Sequence, residues 1–255
     1  DISNPSSPVI IGSADTPGWV RDVFISGNYA FVTDWAGDLQ IIDISNPSSP
    51  VIIGSADTPG WVRDVFISGN YAFVTDWAGD LQIIDISNPS SPVIIGSADT
   101  PDWVRDVFIS GNYAFVADWA GDLQIIDISN PTSPVIIGSV DTPGSAWGVF
   151  ISGDHAFVAN GWDGLQIIDI SNPRSPVIIG SADTPGWAKG VFISGDHAFV
   201  ADFEQGLQII DVSNPTSPVI IGSIDTPGYV LGVFISKNHA FVAVRDGLQI
   251  IEVFE

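Results

Sequence analysis

The chain of 255 residues has no cysteine and no methionine. Without thiols there is neither a disulfide framework nor a thiolate metal site. With no initiating methionine and no signal peptide, it is expected to be a mature form or an excised fragment. Cations are scarce: 7 Lys and Arg face 30 Asp and Glu, a formal charge of −23. Phosphate backbones are held by clustered Lys and Arg, so nucleic acid is a poor partner, and so is an anionic membrane surface. No apolar run reaches the roughly 18 residues of a spanning helix, so no membrane insertion is expected. Strong charge of one sign keeps proteins soluble and monomeric, and halophiles use it; a monomer with an acidic solvated surface is expected.

What is present is repetition. Residues 1–42 and 43–84 are the same 42 letters, DISNPSSPVIIGSADTPGWVRDVFISGNYAFVTDWAGDLQII. The third copy, 85–126, differs only at Asp102 (Gly60 in the second copy) and Ala117 (Thr75). Looser copies occupy 127–168, 169–210 and 211–251. No linker separates them, so a single domain over 1–255 is expected. A period of 20 to 50 residues means a solenoid, a propeller or an array.

Each repeat reads as four short strands and no helix. DISNPSSP is a loop, because Pro5 and Pro8 cannot donate within a central ladder. Val9 to Gly12 begins one strand, and Asp15-Thr-Pro-Gly18 is a turn. Trp19 to Ser26 is the next strand, Gly27-Asn28 a two-residue hairpin loop, and Tyr29 to Thr33 the third. After the turn Asp34–Asp38, Leu39 to Ile44 is the fourth. The strand cores VII, VFI, AFV and LQII are unbroken apolar runs, which suits sheets covered on both faces. Four strands per period of about 42 residues is the pattern of a β-propeller blade; a β-solenoid has shorter turns.

LQIIDISNP at Leu39 to Pro47, with GVFISGDHAFVA at Gly190 to Ala201, resembles the LVIVD repeat. The resemblance covers nearly the whole chain. It implies a fold like that of bacterial and archaeal surface or secreted propellers, hence an extracellular or cell-surface location, and supplies no catalytic residues. WD40 repeats have a similar length, but their Gly-His and Trp-Asp pairs are missing here. One departure stands out: Gly148, Gly190 and Gly232 are Asp22, Asp64 and Asp106 in the first three copies.

The expected fold is therefore all-β: a six-bladed β-propeller with four antiparallel strands per blade and 24 strands in all. The chain opens on an outer-strand candidate and ends on Leu248 to Val253 with no VIIG beyond. Each blade then takes its outer strand from the following repeat. The last takes it from Val9 to Ser13, a Velcro closure that leaves no open sheet edge.

The copies differ mainly in two loops: the lead-in to the innermost strand and the turn before the LQII strand. Alternating strand direction opens both on one face. The lead-in supplies Trp19, Arg21, Asp22, Trp61, Arg63, Asp64, Trp103, Arg105, Asp106, Trp147, Trp187 and Tyr229. The second loop supplies Trp35, Trp77, Trp119 and Trp162, expected to lie further out. Trp beside carboxylates suits sugar stacking, and Trp, Tyr and Arg suit a protein interface. The plainer reading is that these rings fill seams between blades, and that each Arg meets an Asp of the next blade. Asp43, Asp85, Asp127, Asp169 and Asp211, with Glu252 at the sixth position, are expected to accept backbone N–H bonds in their turns.

No metal, cofactor or catalytic residue is expected. His155, His197 and His239 replace Tyr at one register position, on sheets that pack about 10 Å apart. Asp34 and Asp38 fall short of the six to eight oxygens of a calcium cage. The expected function is a non-enzymatic surface or secreted module that binds a protein or a glycan at a channel mouth. One alternative is an engineered or recently amplified propeller with no selected ligand, which identical adjacent copies favour. A propeller hydrolase would need an arginine cluster or a metal cage that the sequence does not display. Because carboxylates on so acidic a surface repel one another, moderate NaCl at neutral pH should raise the melting temperature. A flat or falling curve against salt removes the self-repulsion argument.

Overall fold

A computed structural model describes residues 3–4, 6–36, 38–77 and 80–253. The turn expected at Asp34–Asp38 includes Gly37, which lies outside the described residues, as do Asp1, Ile2 and Pro5 of the first loop. The contacts gather into two compact units: residues 1–114 with 126–136, and residues 115–125 with 137–255.

The first unit begins with β1 (Val20–Ser26), β2 (Tyr29–Asp34), β3 (Asp38–Asp43) and β4 (Val51–Asp57). They hydrogen-bond in that order, all antiparallel. The second sheet repeats this with β5 (Val62–Ser68), β6 (Tyr71–Asp76), β7 (Asp80–Asp85) and β8 (Val93–Asp99). A third four-stranded sheet of the same order is made by β9 (Val104–Ser110), β10 (Tyr113–Asp118), β11 (Asp122–Asp127) and β12 (Val135–Asp141). In the second unit, β13 (Gly148–Ser152), β14 (His155–Ala159), β15 (Leu165–Asp169) and β16 (Val177–Ala182) make the fourth sheet. The fifth comprises β17 (Gly190–Ser194), β18 (His197–Ala201), β19 (Leu207–Asp211) and β20 (Val219–Ile224). The sixth holds β21 (Val230–Ser236), β22 (His239–Val244) and β23 (Gly247–Glu252). There is no helix among the described residues. The chain is an all-β, six-bladed β-propeller, and its first five blades borrow their fourth strand from the next repeat, as the sequence implied.

The sixth blade corrects the expectation of 24 strands and of a Velcro strand at Val9–Ser13. It has three strands, and residues 8–16 belong to no strand. The letters VIIGSAD at 9–15 are those of β4 and β8. A strand is defined by its ladder partner, so the same letters are strand in one context and not in another. The first copy still lies where its equivalents lie: a Cβ on Gly12 would strike the Pro47 carbonyl, as one on Gly54 would strike that of Pro89.

The blades are held by apolar seams. In the first unit, Phe31, Leu39, Ile41 and Ala56 of one blade pack against Val62, Val65, Ile67, Ala72 and Val74 of the next. In the second, Phe199, Ala201 and Leu207 pack against Val230, Ile235, Ala240 and Val242. Burying one such Val, Leu, Ile or Phe side chain stabilises by about 1.5–3 kcal/mol. At the outer turns the aspartates act as expected. Asp43, Asp85, Asp127, Asp169 and Asp211 accept the N–H of Ser45, Ser87, Ser129, Ser171 and Ser213 at 2.8–2.9 Å.

The hairpin between the first two strands turns on a glycine in the first five blades. Gly27 and Gly69 have φ of 58° and 59°, while Asn28 does not share the positive φ that the sequence allowed it. The sixth repeat places Lys237 there, still at φ 54°. A side chain in this left-handed region costs about 1–2 kcal/mol. Lys237→Gly should therefore stabilise the protein by about 1 kcal/mol, read as a shift in a denaturant midpoint. No shift, or a loss, would show that the lysine side chain offsets the backbone strain.

Candidate functional site

The two variable loops of the first, second and sixth repeats are joined by backbone. Trp35 N–H donates to Trp19 O, Trp77 N–H to Trp61 O and Arg245 N–H to Tyr229 O, each at 3.0 Å. The loops also share a buried polar anchor. Asp34 accepts the N–H of Gly18 at 3.1 Å and of Ala36 at 2.9 Å. Asp202 does the same work for Gly186 at 2.9 Å and accepts the Thr184 hydroxyl at 2.6 Å. These carboxylates hold the turns, which leaves the aromatic side chains to form the surface.

In the first unit that surface is a row of indoles. Ring centroids of Trp19 and Trp35 lie 5.4 Å apart, Trp35 and Trp61 5.9 Å, Trp61 and Trp77 5.5 Å, and Trp77 and Trp103 5.4 Å. Rings of the two loops therefore alternate along one row; Trp35 and Trp77 are not set apart from Trp19, Trp61 and Trp103. The row bridges adjacent blades yet stays open to solvent, with Trp19 76% and Trp61 53% exposed.

Arg21 and Arg63 are turned onto rings rather than toward aspartates of the next blade. Arg21 is the extra residue of a β-bulge between Val20 and Asp22, and Arg63 of one between Val62 and Asp64. A bulge re-aims its side chain. The Arg21 guanidinium sits 5.2 Å from the centre of the Trp35 ring, and that of Arg63 5.5 Å from Trp77. The aspartates bind backbone instead: Val65 N–H donates to Asp22 Oδ2 at 3.2 Å and Val107 N–H to Asp64 Oδ2 at 2.8 Å. Burial, then the neighbouring Asp106 and Asp22, push the Asp64 carboxyl well above the usual carboxylate range. Burial, then Arg105 and Arg21, bring Arg63 down to about 9; burial, then Arg21, brings Arg105 down to about 10. Arginines 42 and 84 residues apart thus act on one another electrostatically, which no single stretch of sequence displays.

This coupling follows from the innermost strands. Phe24 and Phe66 on β1 and β5 are 5.0 Å apart, as are Phe66 and Phe108 on β5 and β9. The separation of about 10 Å for packed sheets does not describe this inner zone, where adjacent blades converge.

In the second unit the same register positions build a cavity of about 420 Å³. Its walls are Trp119, Trp147, Trp162, Trp187 and Phe203, with Lys189, Glu204 and Gln205. Trp187 meets Trp162 edge-on at 5.1 Å and Trp147 at 5.8 Å. Lys189 Nζ lies 4.1 Å from the Phe203 ring centre and 5.0 Å from Trp147. Tyr229 stands apart from this cavity, stacked on Phe203 at 4.3 Å and beside Arg245 at 5.8 Å. Lys189, Phe203, Glu204 and Gln205 belong to the two variable loops but are not among the expected site residues. The signal was present: Lys189 occupies the Arg21 position of its repeat and Phe203 the Trp35 position. Among the described residues, no three His, Asp or Glu side chains are grouped to hold a metal ion.

Repeated antiparallel blades define a β-propeller. The chain belongs to the LVIVD repeat family, whose repeat profile matches residues 1–16, 17–58, 59–100, 103–142, 143–184, 185–226 and 227–253. No curated protein matches its sequence. Among solved structures it is similar to a chain of the mitotic checkpoint complex, at 12% identity and a TM-score of 0.85, over 99% of this chain and 80% of that one. It is also similar to a functionally unknown protein from Desulfotomaculum acetoxidans DSM 771, at 15% identity and 0.76, over 97% and 90%. The computationally designed Ika8 protein is similar at 10% identity and 0.74, over 92% and 71%. At such identities the likeness is one of fold.

The carboxyl shifts set a pH dependence. Asp38 is pushed up to about 6 by burial and by its hydrogen bond to Asp57, and Asp80 to about 6 by burial and by Asp76. Raised folded pKa values mean that the native state binds more protons than the unfolded chain from about pH 4 to above 6, so stability falls as pH rises through that window. Asp43, Asp85, Asp169 and Asp211 are held below the ordinary value, chiefly by hydrogen bonds from Ser45, Ser87, Ser171 and Ser213, and their contribution is lost in stronger acid. The melting temperature should therefore rise from pH 7 to about 5 and fall below about 4. A steady decline from pH 7 to 5 contradicts the carboxyl assignments.

Proposed function

We propose that this protein is a non-enzymatic carbohydrate-binding module, secreted or displayed at a cell surface, with its sugar site in the aromatic cavity of the second unit. One observation carries the reading: Trp119, Trp147, Trp162, Trp187 and Phe203 wall one cavity. A sugar offers an apolar face for stacking on such rings and hydroxyls for the polar groups beside them. The volume suits a small ligand, since such sites run from about 300 to 1,000 Å³. Exposed Glu204 and Gln205 supply polar groups at the rim. The extracellular placement rests on the likeness to surface and secreted propellers.

A second reading is an amplified or engineered array without a selected ligand. The identity of residues 1–42 and 43–84 favours it, as does the likeness to a designed protein. A glycan array separates the two, since this second reading expects no hits above background. Trp162, 66% exposed, is the residue to remove from any complex found. Exposed substitutions cost under about 0.5 kcal/mol of stability. Trp162→Ala should keep the parent melting temperature while weakening the captured sugar about tenfold, measured by calorimetry. Unchanged affinity places the sugar elsewhere.

A further inference from the structure

The defining property of the arginine and tryptophan row of the first unit is repetition. The lead-in Trp-Val-Arg-Asp occurs at 19–22, 61–64 and 103–106. Each Arg is carried on the same inner strand of its blade, and the strands converge to the 5.0 Å phenylalanine spacing. The indoles that follow one another from Trp19 to Trp103 form one continuous track beside them. Identical sites in a row match a ligand whose own units repeat.

From this geometry we propose that the row formed by Arg21, Arg63, Arg105 and the Trp19–Trp103 track binds an acidic polysaccharide, a chain of uronate sugars, with one carboxylate per guanidinium and pyranose faces on the indoles. Guanidinium is the side chain that grips carboxylate in two-point fashion and also lies flat on an aromatic ring. Burial, and then mutual repulsion, lowers Arg63 to about 9 and Arg105 to about 10, so an arriving anion favours the charged form of both. The adjacent Asp64 attracts Arg63 less than Arg105 and Arg21 repel it. The net charge of −23 opposes a polyanion, but at physiological ionic strength the Debye length is about 8 Å. Distant carboxylates are screened, and the partly buried guanidiniums are screened less. Three weak contacts on one chain then add as linked sites. The third site differs from the others, because Asp102 replaces Gly60 and its charge acts on Arg105.

The inference rests on the reading of the chain as a carbohydrate-binding module, and it is tested on different residues. The intact protein is titrated calorimetrically with a galacturonate oligomer and with the methyl ester of the same oligomer, which keeps the sugar and removes the charge. Binding of the acid with at least tenfold preference over the ester is expected. Arg63→Gln should lower affinity for the acid about tenfold, and Asp102→Gly should raise it, with melting temperatures held as the fold control. Trp162→Ala should leave the titration unchanged, so failure of the cavity reading and failure of this one are told apart. Equal binding of acid and ester, no binding of either, or insensitivity to Arg63→Gln overturns the proposal. Where Arg63→Gln lowers the melting temperature, Arg21→Gln decides, since Arg21 is exposed; an unchanged affinity in that variant likewise overturns it.

Discussion

Every feature of this protein depends on the apolar seam between one repeat and the next. A single four-stranded blade cannot cover its own faces, so its Phe, Leu and Ile side chains are satisfied only by the Val, Ile and Ala of a neighbour. The strands are unbroken apolar runs for that reason. Stability is accordingly shared between repeat interiors and interfaces, with little left to the loops. The loops at one edge are therefore free to differ while the VFI, AFV and LQII cores hardly change.

The same seam positions the candidate sites. Converging inner strands bring side chains 42 residues apart in sequence to within 5.0 Å of one another. Backbone bonds between Trp35 and Trp19, and between Trp77 and Trp61, fold the two variable loops together. Buried Asp34 and Asp202 are consumed in holding those turns. What faces solvent is then aromatic, arranged as a track in one unit and as a cavity in the other. The difference has a chemical origin in one register position: Arg21, Arg63 and Arg105 in the first three copies, Trp147, Lys189 and Leu231 in the later ones.

Scarce cations are placed over rings. Arg21, Arg63, Lys189 and Arg245 each lie within 6 Å of an aromatic centroid. Such contacts contribute roughly 0.5–2 kcal/mol, more where water is excluded. The carboxylates meanwhile divide by environment. Those in the outer turns accept N–H bonds and ionise easily; Asp38, Asp64 and Asp80 crowd other acids and do so reluctantly.

The sequence by itself determined the repeat, the strand content, the borrowed fourth strand of five blades and the turn chemistry of the Asp-Ile-Ser-Asn-Pro loops. These are local matters: period, propensity, proline and glycine act within a few residues. It also located the variable face, because differences between copies of one chain are visible in the letters. Tertiary structure decided the rest. The bulge that turns Arg21 and Arg63 onto indoles is a mismatch of register between two strands, and no single strand records it. The interleaving of Trp35 between Trp19 and Trp61, and the walls that Lys189 and Phe203 give to the cavity, depend on how closely neighbouring blades approach. The N-terminal VIIGSAD makes the point most simply, for its letters equal those of β4 and its structure does not. A strand needs a partner to donate to and accept from, and the partner is supplied by the fold.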